Sequence, residues 1–221
     1  MSAAGVDDLV LRVDGSKPVS PAAVEELLKI CDRAEDGYGS GLLVAYVSGT
    51  PQPGWTKEIS VGLLTKWERA VRRLEHVGLT TVSVAAGVCG GTALDVLLAT
   101  DVRIAVAGAG FVVTSSGDAT WPGMALYRLA RQGTGPRLRK AALLGTSIDA
   151  AEAAAAGLVD VIVDQADEAL AELAVVAGSV TGKELAIRRR LMLDAPQHSF
   201  EEALGSHLAA CDRALRRATA A

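Results

Sequence analysis

Aromatic residues are scarce in this chain. They make up 4% of its 221 positions: three Trp, three Tyr and two Phe. A core built on large rings is therefore excluded. The apolar half of the composition is mainly Ala, Val and Leu, which suits buried parallel strands and close-packed helices. Basic charge is also in short supply, with 22 Lys and Arg against 26 Asp and Glu and a net charge of −4. No excess exists to neutralise phosphates, which argues against a nucleic-acid partner. Local basic clusters (Arg72, Arg73; Arg137, Arg139, Lys140; Arg188, Arg189, Arg190; Arg216, Arg217) read as solvated helix faces. Cys31, Cys89 and Cys211 are odd in number and widely spaced, so they form neither a disulfide framework nor a metal pattern. The opening MSAAGVDDLV lacks a basic n-region and a long apolar run, so no signal peptide is read. No window has the uncharged apolar length of a membrane span. A cytoplasmic protein without membrane or metal partners is expected.

What is present centres on residues 80–101, TTVSVAAGVCGGTALDVLLATD. Small and β-branched residues at 82–86 read as a buried strand, which Gly87 is expected to break. Gly90 and Gly91 follow, and from Thr92 the spacing of Leu94, Leu97 and Leu98 predicts a helix. A glycine turn opening a helix presents unpaired N–H groups and the positive dipole end. That is a candidate cradle for an anionic oxygen. Neither common nucleotide loop is present, because no G-x-x-x-x-G-K-[ST] or G-x-G-x-x-G follows the strand.

Around this centre, short strands are read at 9–13, 42–47, 102–107, 111–113 and 158–163. Helices are read at 21–34, 59–77, 124–131, 135–144 and 150–156, and three more at 168–177, 183–193 and 200–217. Asp149 with Glu152 fits a capping box. Trp67 sits in an apolar helical stripe and reads as core. Residues 114–120 read as a polar loop. Alternating strands and helices with a helical tail imply an α/β protein with a parallel sheet. The expected division is a core at 1–180 and a C-terminal helical segment at 181–221. The tail's apolar stripes suggest oligomerisation.

Several residues in fixed order carry a resemblance: Ala85-Ala86-Gly87, Gly90-Gly91, Asp95, Asp101, Arg103-Ile104-Ala105, Phe111, Pro122-Gly123, Leu144-Gly145, Ile148, Ala150 and Gly157-Leu158-Val159-Asp160. This pattern resembles the crotonase (enoyl-CoA hydratase/isomerase) superfamily over residues 9 to about 163. The resemblance implies a crotonase-like spiral of β-β-α units with a C-terminal helical extension, built into homotrimers or hexamers. It implies acyl-CoA thioesters as ligands, with coenzyme A as substrate carrier and no separate cofactor. Two backbone N–H groups would polarise the thioester carbonyl. The pattern puts Thr92 at one donor position and Gly54 or Trp55 at the other. Gly90 and Gly91 would admit the thioester. Of the two family carboxylates, the first falls at Asp95 and the second at Ser115, a serine that needs a base of its own; Asp118 lies three residues further on. Asp95 also admits a plain reading as a capping or solvated acid.

The departures themselves resemble one branch. The P-G-W loop, W-E-R-A-V-R-R-L-E, C-G-G-T-A-L-D and A-T-W-P-G-M-A-L-Y-R-L are similar to small accessory crotonase-like proteins of 3,5-dihydroxyphenylglycine biosynthesis in glycopeptide-antibiotic producers. That likeness implies a helper of a type III polyketide synthase, at cyclisation or dehydration of a malonyl-CoA-derived chain, alongside sister crotonase-like proteins. The alternatives are a stand-alone hydratase or isomerase, a non-catalytic partner subunit, and a peptidase using Cys89 or Thr92. The last lacks a suitably placed histidine, since only His76, His198 and His207 exist.

Overall fold

Runs of Leu, Val and Ala that bury both faces favour a parallel sheet covered on two sides. The computed structural model of the chain describes residues 9–36, 41–117, 119–180 and 182–219. Its central sheet runs in the order β1 (Leu9–Asp14), β2 (Leu42–Gly49), β3 (Thr80–Cys89), β4 (Val102–Val106) and β9 (Val161–Val163), all parallel. This is the α/β architecture with a parallel sheet that the sequence implied.

Two helices carry the front face. α1 (Pro21–Asp36) opens with Ser20 accepting from the Ala23 N–H at 3.1 Å and with Pro at the first position, where its missing N–H costs nothing. α2 (Val61–Leu74) is capped by the Ser60 hydroxyl, which accepts from the Leu63 N–H. It buries Trp67, Ala70, Val71 and Leu74 against the sheet. The expected start at Ile59 and end at Val77 overshoot: Ser60 is the cap, and the chain leaves the helix at Glu75 to deliver β3. The back face carries a smaller cluster of Leu42, Val44, Val82, Val84 and Ile104, covered by α7 (Asp167–Gly178).

β3 does not end at Gly87. Gly87 adopts φ +63°, a left-handed conformation inside a strand, and the strand continues to Cys89. Before the bend β3 pairs with β4; after it Val88 and Cys89 pair with β5 (Gly110–Phe111). A bulge re-aims the strand end. It delivers Gly90 and Gly91 to the top of the sheet, where α3 (Thr92–Leu97) begins. Gly15 completes this junction. A Cβ there would overlap the carbonyl oxygens of Gly49 and Gly90, so the ends of β1, β2 and β3 meet backbone to backbone.

The polar loop expected at 114–120 contains a small hairpin, β6 (Ser115–Ser116) with β7 (Ala119–Thr120). α4 (Met124–Gln132) and α5 (Pro136–Leu144) follow. β8 (Ile148–Asp149) pairs antiparallel with β5 and leads into α6 (Ala150–Ala155), whose Asp149–Glu152 capping box is formed.

The two last helices behave differently. α8 (Gly182–Asp194) is fastened to the core by Arg189. Its guanidinium donates to both Asp101 carboxylate oxygens, at 2.7 and 2.6 Å, to Leu79 O at 2.8 Å, and to Val77 O. α9 (Phe200–Thr219) buries no residue, and Phe200, Leu208 and Leu215 lie more than half exposed along it. No helix is long and apolar enough to cross a membrane among the described residues.

Candidate functional site

The α3 start is the nearest thing to a prepared anion cradle. Its helix is only six residues long, and Gly91, at φ +53°, is the residue before it. The Gly90 N–H is spent on Gly49 O at 2.9 Å, the Ala93 N–H on Gly90 O and the Asp95 N–H on Gly91 O. Thr92, as the first helical residue, has no intrahelical acceptor for its N–H. It is buried and lines a cleft of about 230 Å³ together with Leu11, Asp14, Lys17, Trp67 and Val96.

The glycines themselves are packed. On the side where a Cβ would stand, Gly90 meets Thr50 Oγ1 at 2.7 Å and Thr114 Cγ2 at 2.9 Å, and Gly91 meets the Pro51 ring at 3.0 Å. That space belongs to protein, so there the pair serves the turn and the close approach of loops.

The loop carrying the other expected donor is held against the hairpin. Trp55 Nε1 donates to Ser115 O at 3.1 Å, Thr56 and Ser116 share a hydroxyl contact at 2.9 Å, and the Trp55 and Trp121 rings meet edge to face at 5.1 Å. The backbone N–H of Trp55 is engaged, donating to Gln52 O at 3.2 Å. Gly54, exposed at φ +84°, has no such turn bond among the described residues.

Asp95 lies one turn into α3, three residues after Thr92. It is half-buried, and its Oδ2 accepts from Trp67 Nε1 at 2.9 Å. Trp67 is core, as its stripe implied, but its indole N–H also gives Asp95 a partner. Burial pushes the Asp95 carboxyl up from 3.8 to about 7; the nearby Glu68 charge adds to the rise, while the Trp67 hydrogen bond and Arg128 oppose it. Ser115 is exposed on β6, its Oγ lying against Gly145. No hydrogen bond joins it to Asp95 among the described residues. Asp118 falls outside the described residues.

Sequence reasoning missed Arg128. It is buried on α4, where Nε donates to Glu75 at 2.6 Å and Nη1 to Glu68 at 2.9 Å. The signal was legible in hindsight: Glu68 on α2 and Glu75, its C-cap, are seven apart, two helical turns, and therefore share a face.

Cys89 is corrected. As the nucleophile of a peptidase it fails, because burial pushes its thiol up to about 12 and its Sγ points to backbone carbonyls. His76, His198 and His207 are all exposed, and no hydrogen bond joins one to Cys89 or Thr92 among the described residues. Among the described residues no group of three or more His, Cys, Asp or Glu could hold a metal ion. A larger cavity, about 610 Å³, lies between α4 and α5, but its lining of Leu126, Leu129, Pro136, Leu138 and Leu143 with Arg139 includes neither Thr92 nor Asp95.

The model of a family described as enoyl-CoA hydratase/isomerase matches residues 56–218. The chain belongs to the enoyl-CoA hydratase/isomerase family. An "Enoyl-CoA-hydratase" of Amycolatopsis orientalis is 50% identical over 210 residues, covering 95% of this chain and 97% of that protein. Among solved structures, an enoyl-CoA hydratase/isomerase family protein from Silicibacter pomeroyi superposes with TM-score 0.79 at 18% identity, covering 96% and 97% of the two chains. An enoyl-CoA hydratase from Bacillus anthracis gives 0.76 at 18%, covering 92% and 86%. These likenesses show the crotonase fold that the sequence pattern implied.

Proposed function

We propose that this protein binds an acyl-CoA thioester and moves a proton on it, as an enoyl-CoA hydratase/isomerase-type enzyme working with one carboxylate on α3. The observation that carries this reading is Asp95. It lies one turn from the Thr92 N–H, accepts a side-chain hydrogen bond from Trp67, and its burial brings it near 7, where a carboxyl can both take and return a proton. For a 3-enoyl thioester, the Asp95 carboxylate takes the C2 proton and the electron pair flows to the thioester oxygen. The Thr92 N–H and a second backbone donor, Gly54 by its free turn position, stabilise that oxyanion. Asp95 then gives the proton to C4, leaving the 2-enoyl thioester. One carboxylate suffices for this shuttle. Direct hydration of a 2-enoyl thioester needs a group to position and deprotonate water as well, and Ser115 does not supply it.

Incubating the protein with 3-butenoyl-CoA and with crotonyl-CoA, each followed by mass and absorbance, tests the reading. Isomerisation faster than hydration is expected. Absence of both reactions, with no thioester binding, would overturn it.

A second reading is favoured by the solvent-exposed Ser115 at the second carboxylate position: an auxiliary protein for a type III polyketide synthase, acting with sister crotonase-like proteins on a malonyl-CoA-derived chain. Synthase and malonyl-CoA with and without this protein, with products identified by mass, decide it; unchanged products would remove it. Homotrimer or hexamer assembly, supported by the uncovered apolar residues of α9, is part of either reading. A monomer in light scattering at micromolar concentration would count against assembly.

A further inference from the structure

The loop at 50–56, TPQPGWT, leaves the end of β2 and carries the Gly54 N–H. Its near end is fixed by packing, since Thr50 and the Pro51 ring fill the Cβ spaces of Gly90 and Gly91. Beyond Pro51 its backbone bonds are short-range: Trp55 N–H to Gln52 O, Lys57 N–H to Gly54 O and Ile59 N–H to Thr56 O. No backbone bond ties it to another element among the described residues. Pro51 and Pro53 have no N–H to give. Gly54 is exposed at φ +84°, and the nearest atoms to a Cβ there belong to the Lys57 side chain, at 3.4 Å and beyond. A glycine so placed has much freedom to lose.

Two side chains fasten the far end. Trp55 Nε1 donates to Ser115 O at 3.1 Å, the Trp55 ring meets Trp121 edge to face, and Thr56 shares its hydroxyl contact with Ser116. The receiving side is itself fixed. Trp121 N–H donates to Thr114 O at 2.7 Å, and its ring packs over Gly123, where a Cβ would overlap it. Trp55 therefore adjoins Gly54 and joins the loop to the hairpin by both a hydrogen bond and a ring contact. Gly54 is three residues from Pro51, so it lies at most roughly 10 Å from the ring that touches Gly91.

We propose that Trp55 is a positioning residue for the Gly54 N–H: its indole clamps the far end of the loop to the β6–β7 hairpin and so holds that donor in place. This rests on the reading of Gly54 as the second oxyanion donor. A donor already held stabilises the oxyanion without reorganisation, whereas a loose one must first be ordered. The benefit falls on the chemical step, because the oxyanion's charge develops only there. Ser115 gains a part in this through its carbonyl, as the anchor of the loop, rather than through its hydroxyl.

Two prolines precede a glycine in the chain, Pro53 before Gly54 and Pro122 before Gly123. Protein labelled with 13C-carbonyl proline and 15N-glycine therefore shows two linked amides, and loss of one in Gly54→Ala assigns it. In the wild type the Gly54 amide should shift when butyryl-CoA binds, and in Trp55→Ala that shift should shrink. For isomerisation of 3-butenoyl-CoA, kcat of Trp55→Ala should fall by about tenfold or more, with KM changed less than about threefold. Trp55→Phe keeps a ring against Trp121 but loses the bond to Ser115 O, and it should fall between; it carries the test if Trp55→Ala unfolds. A wild-type Gly54 amide unmoved by bound butyryl-CoA overturns the donor reading and the proposal with it. Folded Trp55 variants that keep either the wild-type shift or the wild-type kcat overturn the positioning role alone, and so does a loss confined to KM. The amide readout needs no turnover, so it decides even where isomerisation is absent.

Discussion

Replacing Asp95 with Asn should make the protein more stable, and by an amount that grows with pH. The amide keeps the shape and can still accept from Trp67 Nε1, but it carries no charge. In the wild type the folded-state carboxyl is raised from 3.8 to about 7, so between those values the folded protein holds a proton that the unfolded chain has lost. The unfolded state then binds fewer protons, and stability falls as pH rises, by up to about 1.4 kcal/mol per pH unit. Below about 3.8 the term is absent from the balance, and above about 7 its full cost stands, about 4 kcal/mol. Asn escapes that cost. Urea unfolding of both proteins at a series of pH values, at fixed protein concentration, should show the variant gaining from pH 4.5 to 8 and then levelling. With a slope of roughly 3 kcal/mol/M, the midpoint gap at pH 8 should reach about 1 M. A gap that stays flat across that range would refute the reasoning that Asp95 is desolvated in the folded state.

Arg189→Met should destabilise the protein by about 3–5 kcal/mol, because it leaves Asp101 unpaired and frees the carbonyls of Val77 and Leu79; thermal or urea unfolding measures this. Gly91→Val should lower the melting temperature as well as any ligand binding, because position 91 has φ +53° and the Pro51 ring occupies the Cβ space; an unchanged melt would contradict that geometry. With iodoacetamide near neutral pH, one cysteine should react first, and peptide mapping should place it at Cys211, since Cys31 and Cys89 are buried and each pushed up to about 12.

The framework was legible where local chemistry agreed with tertiary packing. The Asp149 cap, the apolar stripe of α2 and the valine-rich strands each signal their element. What escaped the sequence was long-range. Gly87 reads as a strand breaker, yet β3 passes through it, because β5 offers a new partner only after the bend. The polar stretch after Phe111 hides two-residue strands too short for any period. Arg189 lies in a basic run that reads as solvated, and only the fold brings Asp101, 88 positions away, to meet it. At the site, Asp95 could be singled out from pattern, but its neighbours could not. Glu68, Glu75 and Arg128 look like ordinary charged positions on amphipathic helices until α2 and α4 are packed together. The glycine pair could not reveal that Thr50, Pro51 and Thr114 already fill its open side.

The central claim is that Asp95 moves a proton on a thioester whose carbonyl is held at Thr92. Proton exchange in D2O measures this most directly. Wild-type protein with butyryl-CoA should incorporate deuterium at C2, seen by mass spectrometry or 1H NMR. Asp95→Asn should cut that rate by about tenfold or more, as loss of a general acid–base group does. Exchange at equal rates in the two proteins, or none in the wild type with the thioester bound, would contradict the account.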